Sequence, residues 1–137
     1  GSLSGYTRAE HLGTGFAQSG YIAIHVGHRP SNSDLAHLLD RPTDVSFLLD
    51  RLEQQTLDLP EGSRQSIDLE RVGHLGHSYG AYTSHALAGA RLDLPGVSPN
   101  PVSFHDERID AVVLLSPKGL ISSGSSTVAR RTTPGLA

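Results

Sequence analysis

RVGHLGHSYGAYTSHALAGA, residues 71–90, is the stretch whose reading decides the fold. Residues 72–75 read as the end of a buried strand, and residues 81–90, rich in small side chains, read as a helix. Gly76-His77-Ser78-Tyr79-Gly80 joins the two in a G-x-S-x-G pattern. A chain that passes directly from strand to helix must turn through a strained conformation, and the residue at the tip holds its side chain away from the backbone. Gly76 and Gly80 are both expected to leave room where a Cβ would strike the neighbouring strand or helix. Ser78 then falls at the carboxyl edge of a parallel sheet, the edge on which open α/β folds bind ligands. The helix opening at Tyr79 aims its first amides at the same point, which makes the backbone N–H of Tyr79 the first candidate donor to an oxyanion. The blander reading is a Gly-rich turn whose serine caps the helix. The strand, turn, helix order favours a nucleophile.

Outward from the elbow, residues 7–10 (Thr-Arg-Ala-Glu) have the pattern of a capping box. A helix is expected after it, with Ala9, Leu12 and Phe16 on one face and Gly20 as its stop. Residues 21–26 are apolar and β-branched between glycines, which predicts a buried strand. Residues 27–41 are polar, with Pro30, Ser31, Asn32 and Ser33, and read as a loop. Val45, Leu48, Leu49 and Leu52 recur at i, i+3, i+4 and i+7, predicting a helix with Pro42 near its start and Asp44 in its first turn. Residues 57–68 are a polar connection. Residues 91–107 hold three prolines and no period, predicting a surface excursion, and residues 109–115 return as a strand too apolar for an exposed sheet. Strands alternating with helices place the chain in the α/β class, with parallel strands joined by right-handed crossovers.

The run Gly76-His77-Ser78-Tyr79-Gly80-Ala81-Tyr82-Thr83 and the following Ala86-Leu87-Ala88-Gly89-Ala90 resemble the α/β-hydrolases of the dienelactone hydrolase and platelet-activating-factor acetylhydrolase type. Three further segments look like the same family: Glu10-His11-Leu12 through Gly20-Tyr21-Ile22, Arg41-Pro42-Thr43-Asp44-Val45 through Leu52, and Ile109-Asp110-Ala111-Val112-Val113-Leu114-Leu115-Ser116-Pro117. The resemblance covers most of positions 1–117. It implies an incomplete α/β-hydrolase fold: three layers, with a mainly parallel sheet and flanking helices, residues 1–121 forming a partial domain and residues 122–137 a disordered tail. The family's fold is larger than 137 residues, so the chain reads as a fragment of a longer protein. The family's strand between the 21–26 strand and the elbow strand is missing, which predicts a gap in the sheet and marginal stability or aggregation.

The resemblance implies a serine hydrolase acting on a small-molecule carboxylic ester or lactone, with Ser78 as nucleophile. His77 is then the variable position of the elbow and lines the pocket. A second oxyanion donor comes in this family from the loop after the missing strand, where the backbone N–H of Ser2 lies. The family's chain order is serine, acid, histidine. After Ser78 the sequence offers only His85 and His105, and no aspartate beyond Asp110. His85 lies two turns along the elbow helix, and His105 precedes the strand that the base should follow. His105 with Asp106 therefore makes a poor substitute pair, and the acid and base are expected in sequence not present here. A catalytically inactive hydrolase remnant is the alternative.

A His-rich metal-binding protein is the third reading, carried by His25-x-x-His28 and His74-x-x-His77 among eight histidines. On a strand, residues three apart point to opposite faces, so neither pair converges on an ion unless its second member has already left the strand. No metal and no cofactor are expected. A net charge of −3 gives no electrostatic reason to expect nucleic acid or an anionic membrane as partner. The absence of cysteine excludes disulfides and thiolate chemistry. No run is long enough to span a bilayer, no secretory leader pattern is visible, and the compartment stays open.

Overall fold

The computed structural model describes residues 10–28, 34–62, 67–94 and 96–116. The chain divides into two compact units, Gly1–Leu69 and Glu70–Ala137. Together they hold helices and a small, mostly parallel sheet, which is the α/β class in its coarse form. Among the described residues no helix is long and apolar enough to cross a membrane. Thr7 and the tail at 122–137 lie outside the described residues.

The first unit carries α1 (Glu10–Gln18) and α2 (Asp34–Glu53). Gly20 stops α1 as expected: its φ is 87°, its N–H donates to the Ala17 carbonyl, and the Tyr21 N–H donates to the Phe16 carbonyl. These are the two bonds of a Schellman motif, and the apolar contact that accompanies it is present as an edge-to-face pair of the Phe16 and Tyr21 rings, 5.8 Å apart. No side chain of α1 is buried.

Residues 21–26 are not a strand. They run as irregular chain with Tyr21, Ile22 and Ile24 exposed. An apolar β-branched run becomes a strand only beside a partner edge that takes its N–H and C=O groups, and no such partner stands next to it among the described residues. Instead His28 fastens the end of this segment to α2 through Nδ1, 2.7 Å from an oxygen of Asp44.

Helix α2 is longer than its sequence suggested. It begins at Asp34, inside the stretch read as loop, and Pro42 and Asp44 sit in its interior. Proline removes one i→i−4 bond without ending the run, and its ring is fully buried here. The hydroxyl of Thr43 donates to the Leu39 carbonyl at 2.9 Å in the turn beside it. Val45, Leu49 and Leu52 form the buried stripe that the heptad spacing promised. The helix closes with a second Schellman motif, with Gln55 at φ 54° in the place glycine usually takes.

The second unit is built on β1 (Val72–His77), α3 (Tyr79–Leu87), β2 (Arg91–Leu92), β3 (Val102–Ser103) and β4 (Ile109–Leu115). β1 and β4 pair in parallel, Gly73 against Ala111 through His77 against Leu115, with an irregularity between Val72 and Gly73. Helix α3 is the crossover between them and packs on both. Its Ala81, Ala86 and Leu87 are completely buried, and small side chains allow the helix to lie close to the sheet. Burying Leu87 alone contributes about 1.5–3 kcal/mol.

Residues 91–107 are not simply a surface excursion. They contain the antiparallel pair β2–β3, with Leu92 and Leu94 buried. Asp106 then leads the chain into β4: its N–H donates to the Leu87 carbonyl, and its carboxylate grips Arg108 through Nε at 2.8 Å and Nη2 at 2.7 Å. β4 itself forms as expected but is not buried. Alternation along the ladder puts Ala111, Val113 and Leu115 on the face away from α3, where Val113 is 46% and Leu115 39% exposed.

Candidate functional site

One residue separates strand from helix: β1 ends at His77, α3 begins at Tyr79, and Ser78 stands between them. Its backbone is at φ 58°, ψ −112°, a conformation that L-residues rarely adopt. Holding it there costs about 1–3 kcal/mol, which the surroundings must offset. Three contacts do so. The Ser78 N–H donates to the Leu115 carbonyl at 3.0 Å, carrying the β1–β4 ladder one step past the strand. The Tyr82 N–H closes the first helical turn on the Ser78 carbonyl at 3.2 Å. Gly76 lies directly against the Gly80 carbonyl, so that a Cβ on Gly76 would overlap it.

The two glycines differ in role, contrary to the symmetrical expectation. Gly76 has no room for a side chain, whereas a Cβ on Gly80 would point into open space. What the elbow takes from position 80 is the close approach of its backbone.

Ser78 makes no capping hydrogen bond to α3, and its hydroxyl has no hydrogen-bond partner among the described residues. The serine-cap reading fails on that geometry. Its half-buried side chain stands at the carboxyl ends of two parallel strands. The Ser78 amide is engaged by Leu115, so the first amide belonging to α3 proper is that of Tyr79. His77 is exposed at the last position of β1. Ser2 lies outside the described residues.

His105, Asp106 and Asp110 are all placed away from Ser78. His105 packs beside Gly89, beyond the carboxyl end of α3, whereas Ser78 is at its amino end. A helix of nine residues separates the two by about 14 Å. Asp106 is buried and spent on Arg108. Asp110 accepts from the Val72 N–H at 2.9 Å, at the far end of β1 from Ser78. Burial pushes the Tyr82 phenol above its ordinary value, so it stays protonated and serves α3 as an anchor. Among the described residues no three histidine, aspartate or glutamate side chains cluster so as to hold a metal ion. His25 instead lies against α1 at Gly13, where a Cβ would meet its ring, and His28 bonds Asp44.

The sequence reading missed one pair. His74, weighed only as a metal ligand, reaches across to α3, its Nδ1 2.7 Å from Ser84 Oγ. The signal was a serine four residues after Gly80 on a helix face otherwise made of Ala and Leu. The chain matches no family model, no curated protein and no solved structure.

Proposed function

We propose that this chain carries the nucleophile of a serine hydrolase for carboxylic esters or lactones, built on part of an α/β-hydrolase fold. Ser78 Oγ attacks the acyl carbon while a base takes its proton, and the carbonyl oxygen, now an oxyanion, accepts from the Tyr79 N–H and a second donor. Collapse expels the alcohol, and water then releases the acid and frees the serine. The observation that carries the reading is the backbone of Ser78: a strained φ of 58° at a strand-to-helix reversal, with a hydroxyl that serves no cap. Strain kept where the side chain has no structural task points to a task of another kind.

One observation favours a second reading, a remnant that keeps the elbow without the chemistry: no imidazole or carboxylate among the described residues bonds the Ser78 hydroxyl. In the catalytic reading the base and its acid lie in sequence not present here. A fluorophosphonate probe separates the two. Labelling that disappears in Ser78→Ala supports an activated serine, labelling that appears only in a longer parent chain supports truncation of an enzyme, and a parent that also stays unlabelled supports the remnant.

A further inference from the structure

Ser84 is completely buried in α3, and its hydroxyl has two neighbours. His74 Nδ1, on the facing strand, is 2.7 Å away, and the Gly80 carbonyl, one turn back, is 3.1 Å away. A hydroxyl has one proton. The carbonyl can only accept, and a Ser84 proton aimed at Gly80 leaves Oγ to receive at its other side. The partner there is Nδ1, which carries a proton in this arrangement; the reverse arrangement, Oγ–H donated to an unprotonated Nδ1, would leave the Gly80 carbonyl to the helix's own N–H. The first arrangement is a directed chain from His74 Nδ1–H to Ser84 Oγ–H to Gly80 C=O. Gly80 is also the residue whose backbone Gly76 lies against. The elbow is thus bracketed twice between the same two elements, once by contact and once by hydrogen bonds.

We propose that His74 and Ser84 are the positioning pair of the Ser78 elbow. Their hydrogen-bond chain ties the strand before the turn to the first helical carbonyls after it, and keeps Ser78 in its strained backbone with its hydroxyl presented outward. His74 makes no bond to Ser78 and acts on it through Ser84 and Gly80. A hydrogen-bond chain that runs through a buried hydroxyl favours one arrangement, because breaking it leaves the Ser84 hydroxyl or its place in the core unpaired. The effect on Ser78 reactivity rests on the hydrolase reading, whereas the proton on Nδ1 does not.

Nitrogen-15 NMR of the labelled chain tests the pair directly. The His74 Nδ1 should show the shift of a protonated nitrogen wherever the chain is folded, and Ser84→Ala should abolish that preference. An unprotonated Nδ1 in the wild-type chain overturns the proposal, with no variant required. The rate of fluorophosphonate labelling at Ser78 supplies a second readout. Ser84→Ala and His74→Gln should label about tenfold more slowly, the loss of one buried hydrogen bond. His74→Asn should keep most of the rate, because its amide N–H reaches the place of Nδ1 while that of glutamine does not. Equal rates in all four chains refute the positioning role. If none is labelled, the wild type included, the base is not supplied by this chain and the nitrogen spectrum alone decides the pair.

Discussion

Ser78 combines a backbone under strain with a hydroxyl that no described residue uses, and the two properties respond to different substitutions. Removing the Cβ relieves the left-handed φ, so Ser78→Gly should raise stability by about 1 kcal/mol in urea unfolding. Ser78→Ala keeps the strain and loses no bond, and its stability should stay within about 0.5 kcal/mol of the parent. Gly76→Ala sits at the other extreme. Its methyl would enter the Gly80 carbonyl, and a loss of about 2–3 kcal/mol is expected together with the loss of any Ser78 labelling. Should Gly76→Ala unfold at the parent's urea midpoint, the close contact at the elbow is not what holds it. The pattern G-x-S-x-G foretold the strand-to-helix turn at Ser78 because its glycines and serine have local causes. It was silent on which glycine mattered more, since that depends on where the Gly80 backbone comes to rest.

Among the elements, α2 shows what periodicity does and does not carry. The stripe of Val45, Leu49 and Leu52 was legible because it follows from 3.6 residues per turn. The start was not, because Pro42 resembles a first-turn proline and only the residues before it decide whether the helix has already begun. The strand expected at 21–26 failed for a related reason: strand formation is a property of a pair, and a single sequence shows one member. The end of α2 supports a definite forecast. Gln55 occupies at φ 54° the position that Gly20 and Gly89 fill after α1 and α3. Gln55→Gly should stabilise the chain by about 1 kcal/mol, read as a higher urea midpoint with unchanged slope. A lower midpoint would mean that the glutamine side chain contributes more than its backbone costs.

For the whole molecule, the face of β4 that α3 leaves open is the dominant physical fact. Parallel sheets are ordinarily covered on both sides, and here Val113 and Leu115 meet solvent. The chain should bind an apolar dye in native buffer and melt over a broad range, and the double substitution Val113→Thr with Leu115→Thr should reduce the dye signal. A sharp transition without dye binding would show that this face is closed in solution. The apolar run 109–115 revealed a strand but not its surroundings, because burial is decided by whatever lies across from it.

The hairpin between α3 and β4 has a kinetic corollary. Parallel strands are joined by long connections, and closing a loop costs entropy that rises with its length. Here the connection is folded back on itself: Arg91 lies beside Ser103, and the Asp106 amide returns to the end of α3 at Leu87. Each local closure shortens the free chain that remains, so β4 is delivered to β1 by successive short steps. Loosening β2 or β3, which lie outside the parallel ladder, should therefore slow the assembly of this half while leaving the finished ladder intact.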